Sequence, residues 1–285
     1  MVSKAVLVTG CSTGIGRATA ERLVQGGFDV FATARRPETL EQLKGLGCRT
    51  LAVDVTDEES MVRAVRSVVE ATGAVGVLVN NAGYAEYGPV EETPVDALRR
   101  QLETNVVGLT RLTQLVLPEM RAQGWGRIIN LSSIAGRISF PGCAYYSASK
   151  YALEAITDAL RFEVRPFGVA VSLIEPGAIK TAFDEAAVAR LHANTREGSP
   201  YETYNEGMAK RVARAYEGGM SAKAGRPNDV AKVIERAIRA RRPRSRYRVG
   251  AGVPMMLATR KLLPDRTLDL VLRSQFASPS GTATD

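Results

Sequence analysis

Lys4-Ala5-Val6-Leu7-Val8-Thr9, an apolar run of strand length, is joined directly to Gly10-Cys11-Ser12-Thr13-Gly14-Ile15-Gly16 and then to a helical pattern from Arg17 to Gly26. Strand, glycine-rich turn and helix in that order form a candidate phosphate cradle. Glycine allows the tight turn and the close approach of a pyrophosphate, whose charge is favoured by the free N–H groups at a helix N-terminus. Gly10, Ser12, Thr13, Gly14, Ile15 and Gly16 are therefore candidate dinucleotide-binding residues.

The next strand pattern runs from Asp29 to Ala34. In a dinucleotide-binding unit its C-terminal end meets the adenosine ribose, where a carboxylate selects a free 2′-hydroxyl and arginine selects a 2′-phosphate. Here stand Thr33, Ala34, Arg35 and Arg36, two guanidiniums and no carboxylate, which favours NADP(H) over NAD(H). Arg36-Pro37 also suits the opening of a helix from Pro37 to Leu46, a use that leaves Arg35 available for phosphate.

Strand and helix patterns alternate from there. Arg49 to Val53 predicts a third strand, ending in Asp54-Val55, and Thr56-Asp57-Glu58-Glu59 reads as a capping box for a helix to about Thr72. Val75 to Val79 predicts a fourth strand, ending in Asn80-Asn81-Ala82-Gly83; Thr93-Pro94 opens a long helical region to about Gln123, with a break near Asn105. Arg127 to Leu131 predicts a fifth strand with Ser132-Ser133 just past its end, and Val169 to Ile174 a sixth, followed by Pro176-Gly177. The pattern predicts an α/β fold over residues 1–277, one doubly wound, Rossmann-type parallel sheet of about seven strands with helices on both faces. Residues 278–285 read as a polar, disordered tail. Ligands of such sheets bind beyond the carboxyl ends of the strands, and every polar cluster named above falls at such an end.

Tyr146-Ser147-Ala148-Ser149-Lys150 opens a helical pattern from Ala144 to Arg165, with Ser133 thirteen residues upstream of Tyr146. A spacing of four puts the phenol and the ammonium on one helix face about 6 Å apart. A cation at that distance favours the phenolate, which brings the Tyr146 proton within reach near neutrality and makes Tyr146 a candidate general acid and base.

Composition narrows the function classes. The 285 residues are 45% hydrophobic and 24% charged, ordinary for a globular protein, with no apolar stretch near the ~20 residues of a membrane span and no signal-peptide pattern at the N-terminus. A soluble cytoplasmic protein is expected. Cys11, Cys48 and Cys143 are widely spaced and read as buried small hydrophobes, without disulfides. With His192 the only histidine, neither a His-based metal centre nor a Ser-His-Asp hydrolase has its parts, and no metal is expected. Lys223 to Arg248 carries ten basic residues against two acidic ones, leaving 28 of each elsewhere, so the net charge of +8 reads as one basic patch. No aromatic-plus-basic motif accompanies it, so nucleic-acid binding is not expected.

Taken together, Thr9-Gly10-x-x-x-Gly14-Ile15-Gly16, Asn80-Asn81-Ala82-Gly83, Asn105, Ser133, Tyr146-x-x-x-Lys150 and Pro176-Gly177-x-x-x-Thr181 resemble the short-chain dehydrogenase/reductase family, in the family's order across roughly residues 4–250. The resemblance implies that Tyr146 gives a proton to a substrate carbonyl, or takes one from an alcohol, and that Ser133 hydrogen-bonds that oxygen. It implies that Lys150 holds the nicotinamide ribose and lowers the Tyr146 pKa, and that Asn105 anchors a proton-carrying water. By the same resemblance Ser12 and Arg35 would hold the 2′-phosphate, Asp54 and Val55 the adenine, and Ile179 and Thr181 the carboxamide. Asn81, Ala82, Gly83, Pro176 and Gly177 would line the cofactor. A homodimer or homotetramer is implied as well.

Tyr84 to Tyr87, Ile138 to Cys143, and the segment from Phe183 to Met220 with Tyr201, Tyr204, Met208 and Tyr216, within a lid at about residues 178–224, are candidate substrate walls. Their aromatic and Met content suggests an apolar carbonyl or alcohol substrate, and suits a lid or core role equally. The segment from Arg246 to Phe276 resembles that of members acting on steroids, retinoids or related lipids; its apolar residues suit packing on the core, an oligomer contact, or a peripheral membrane contact. Two alternatives keep the fold: NAD(H)-dependent alcohol oxidation, and a non-catalytic dinucleotide sensor, which would have no need of Ser133, Tyr146 and Lys150 together.

Overall fold

The computed structural model describes residues 2–217, 224–276, 278 and 279. Its centre is a seven-stranded sheet in the order β3-β2-β1-β4-β5-β6-β7, parallel throughout. The strands are β1 (Val6–Val8), β2 (Val30–Ala34), β3 (Arg49–Ala52), β4 (Val77–Asn80), β5 (Gly126–Leu131), β6 (Val169–Pro176) and β7 (Arg246–Val249). The order reverses beside β1, which opens a crevice between the C-terminal ends of β1 and β4.

The central strands read as unbroken apolar runs because both sheet faces are covered. Successive side chains alternate between two cores: Val6 and Val8 face one, Leu7 the other. On the first face lie α1 (Gly14–Gln25), α2 (Glu41–Gly45) and α9 (Pro227–Arg239), through Leu23, Leu43, Val230 and Ile234. On the second lie α3 (Glu58–Thr72) and α5 (Leu109–Ala122), through Met61, Val68, Leu112 and Val116. Beyond α4 (Val95–Leu102) and α6 (Ala144–Val164), the helices α7 (Ala182–Asn194) and α8 (Glu202–Glu217) fold over the C-terminal end of the sheet. All three cysteines are free and buried.

Several local expectations need correction. Thr56 does not cap α3; its N–H and hydroxyl both donate to Asp54 Oδ1, and Asp57 is the N-cap, accepting from Glu59 N at 3.0 Å. The break expected near Asn105 is present, as a π-helical turn, Glu103–Gly108, joining α4 to α5. A 3₁₀ turn, Pro37–Leu40, precedes α2.

The described basic residues of the run are exposed except Arg246. Within it, Arg239 pairs with Glu235 at 2.8 Å and donates to Gly26 O, while Arg246 turns inward to carboxylates of α6 and β6. Downstream are α10 (Val253–Leu262) and α11 (Asp265–Arg273). Val253 and Leu257 pack on Ile134 and Ile138, and Phe276 joins the cluster beneath α7 and α8, so part of this segment packs on the core while Met255, Leu262 and Leu270 face outward. Among the described residues, no helix is long and apolar enough to cross a membrane. Met220 and most of the expected tail, including residues 280–285, lie outside the described residues, as does the side chain of Tyr216.

Candidate active site

One cleft of about 1130 Å³ runs across the C-terminal ends of the strands. It is lined by Gly10, Ser12, Thr13, Gly14, Ile15, Arg35, Asp54 and Val55, by Asn81, Ala82 and Gly83, by Ser133, Tyr146 and Lys150, and by Pro176, Gly177, Ile179 and Thr181. Two expected residues stand behind it. Gly16 is a packing glycine, since a Cβ there would meet Gly10 O at 2.2 Å and Asn81 Nδ2 at 2.4 Å. Asn105 is 0% exposed. Its side-chain N–H groups donate to Tyr84 O (2.9 Å) and Ser149 Oγ (3.1 Å), and its Oδ1 accepts from Tyr84 N (3.1 Å). The amide side chain thus ties the loop after β4 to α6 beside Lys150.

The cradle end is assembled from main-chain groups. Gly10 and Gly14 adopt φ of 71° and 59°, where a side chain would be strained, and a Cβ on Gly10 would also lie 2.9 Å from Ala82 Cα. Thr13 caps α1 without a side-chain hydrogen bond, leaving the first N–H groups for an anion. Asn81 braces the turn, donating from Nδ2 to Thr9 O at 2.8 Å, while Thr9 Oγ1 accepts from the N–H groups of Asn81 and Ala82. Arg35 is exposed at the rim, and no ion pair engages it among the described residues.

At the other end, Ser133 starts a short 3₁₀ turn (Ile134–Gly136), its Oγ accepting from Ala135 N at 3.1 Å. Tyr146 lies in the first turn of α6, against Tyr87 and Phe183 with ring centroids 6.4 and 5.6 Å away. Lys150 Nζ donates to Leu131 O at 2.7 Å and lies 5.7 Å from the Tyr146 ring centroid. Burial pushes the Tyr146 phenol above its ordinary pKa, opposed by the Ser133 hydroxyl. Burial also brings Lys150 down to about 8, opposed by Glu154. The expected lowering of Tyr146 by Lys150 is therefore not what this geometry gives: desolvation disfavours both charged forms, and the ammonium is held on a main-chain carbonyl.

The expected walls are partly present: Tyr84, Tyr87, Phe140, Cys143 and Phe183 line the cleft, while Tyr204 and Met208 are buried behind it. Arg100 of the same wall lies outside every segment expected there, and Glu86, Asp184 and Arg190 give polar groups to segments expected for their apolar content. Sequence reasoning missed Glu154, although its position four residues after Lys150 on one helix face was a usable signal.

The sequence profile described as "short chain dehydrogenase" matches residues 4–191. This chain belongs to the short-chain dehydrogenase family. It is 37% identical to an NADPH-dependent 3-dehydrocapnine reductase of Ornithobacterium rhinotracheale, over 93% of this chain and 94% of that one. It is 36% identical to human 17-beta-hydroxysteroid dehydrogenase type 1, over 99% of this chain and 84% of the relative. A crystal structure of a short-chain dehydrogenase from Streptomyces avermitilis superposes with a TM-score of 0.78 at 34% identity, covering 94% of this chain and 93% of the other. This short-chain dehydrogenase is thus an oxidoreductase of the CH–OH/C=O couple with a nicotinamide dinucleotide as its cofactor class. The cradle fits that cofactor: its glycines leave the space a Cβ would fill, and the start of α1 offers unpaired N–H groups.

Proposed function

We propose that this short-chain dehydrogenase uses NADP(H) to interconvert an apolar ketone or aldehyde and its alcohol, with Tyr146 as general acid and base. The observation that carries this reading is the convergence of Ser133, Tyr146 and Lys150 on the cleft that also contains the glycine cradle. Ser12 and Arg35 would hold the 2′-phosphate, Gly10 to Ile15 the pyrophosphate, Asp54 and Val55 the adenine, and Ile179 and Thr181 the carboxamide, with Asn81 to Gly83 and Pro176-Gly177 alongside. When bound, the nicotinamide supplies or accepts the hydride.

In reduction, Ser133 donates a hydrogen bond to the substrate carbonyl oxygen and Tyr146 gives that oxygen its phenolic proton. Lys150 offsets the charge left on Tyr146, a larger effect in a dry site than in water. Burial favours the neutral phenol, the form that Tyr146 needs as the acid of carbonyl reduction. Phe140, Cys143 and Phe183 give the wall its apolar surface, in line with a relative named for hydroxysteroids. Within the segment 178–224, the described helices α7 and α8 would act as a lid on that wall.

Fluorescence titration with NADPH and NADH tests the cofactor. NADPH should bind more tightly, and Arg35→Asp should abolish the preference; an NADH preference in the native chain would overturn the assignment.

A further inference from the structure

Glu154 follows Lys150 by one helical turn, so their Cβ atoms lie about 6 Å apart on one face of α6. The Glu154 side chain is buried, and its Oε2 accepts from Arg246 Nε (3.1 Å) and Nη2 (3.0 Å) across from β7. Arg246 also binds Asp158 at 2.6 Å and lies 3.1 Å from Glu175 of β6, itself 0% exposed. Arg137 approaches Glu154 and Glu175 at 3.8 and 4.0 Å, and Arg248 stands 3.5 Å from Glu175. Ser132 Oγ turns towards Glu154 without an aligned hydrogen bond. The assembly is tight: a Cβ on Gly136 would lie 2.9 Å from Ser132 Oγ, 3.0 Å from Glu154 Cγ and 3.0 Å from Lys150 O. The charged cluster is thus wedged between the helix carrying Tyr146 and Lys150 and the turn carrying Ser133.

We propose that Glu154 is a positioning residue for Lys150: anchored by Arg246, its carboxylate sustains the ammonium charge that burial opposes and braces the Ser132–Ser133 turn from behind. The inference rests on Lys150 serving the Tyr146 chemistry described under Proposed function. A buried charge cluster is weak support for stability, because apolar residues of similar size often do as well, whereas a carboxylate one turn from a buried ammonium favours its charged form through space, without an ion pair between them. The other titratable or charged groups around the pair are Tyr146, Asp158, Glu175, Arg137, Arg246 and Arg248, with Asp184 and Cys143 beyond Tyr146.

The test reads Lys150 directly in the full chain, without substrate. Trace acetic anhydride acylates only the neutral amine, and peptide mass spectrometry follows Lys150 acylation against pH, with thermal melts reporting folding. Removing the carboxylate in Glu154→Gln should move the Lys150 midpoint about one pH unit lower, and Glu154→Asp should fall between Gln and wild type. In folded Glu154→Gln protein, an unchanged midpoint would overturn the proposal. If that variant does not fold, Glu154→Asp decides alone: a smaller move in the same direction supports the proposal, and none overturns it. Failure of the reading beneath it has a separate signature, full turnover by Tyr146→Phe.

Discussion

The two ends of the cleft are held together by different kinds of contact. The cradle end is close-packed main chain, with Gly10 and Gly16 at the closest approaches and the side chains of Asn81 and Thr9 bonded to its main-chain groups. The end under α7 and α8 is side chain against side chain: Tyr87 donates to Asp184 at 3.4 Å, Asn194 to Glu86 at 3.2 Å and Tyr201 to Glu91 at 2.7 Å, while Arg190 lies 3.8 Å from Glu86. Main-chain contacts leave little room for variation, whereas side-chain contacts can be exchanged one pair at a time. A rigid end then serves the constant partner of the reaction and an adjustable end the variable one.

Substitutions can break this contrast at points of decreasing effect. Tyr146→Phe, between the two ends, should lower turnover by about 10²–10⁴-fold with NADPH affinity unchanged, measured by steady-state kinetics beside fluorescence titration. Beneath both ends, Arg246→Ala leaves Glu154 and Glu175 without their main counter-charge and should cost about 3–5 kcal/mol in urea unfolding. At the rigid end, Gly16→Ala drives a methyl into Gly10 O and should weaken NADPH by about 100-fold, or about 2.7 kcal/mol. Reductive turnover should also fall as pH rises through about 8, where Lys150, its pKa lowered by burial, gives up its proton; a pH profile at saturating substrate checks the sign. At the adjustable end, Arg190→Ala removes a half-exposed contact worth about 0.2–1 kcal/mol and should change substrate KM a few-fold while leaving NADPH affinity alone.

The same contrast sets how much could be read from sequence. β1, the glycine turn and α1 were legible because a strand buried on both faces is a continuous apolar run and because only glycine suits the positive φ at positions 10 and 14. Tyr146 and Lys150 were legible because helix periodicity alone brings them together. Arg246 was not: inside a basic run it reads as surface, and its partner Glu154 lies 92 residues away in the chain. Thr56 was misread because Asp54, at the end of β3, competes for the hydroxyl that a capping box would use. The partners at the end under α7 and α8 were hidden for the same reason as Arg246, each pair joining residues about a hundred positions apart.

The segment that carries α7 and α8 also has a seam at its root. Ile179 and Gly225 form a parallel bridge, with Lys180 N donating to Gly225 O and Gly225 N to Ala178 O, each at 3.0 Å. The two ends of the segment therefore meet at one point. Lengthening a loop closed in this way adds only about 0.6 kcal/mol per doubling. The segment between Thr181 and Ala224 is in that sense a cassette: a stretch of different length and composition, grafted at this seam, could bring a new specificity to an unchanged hydride-transfer frame.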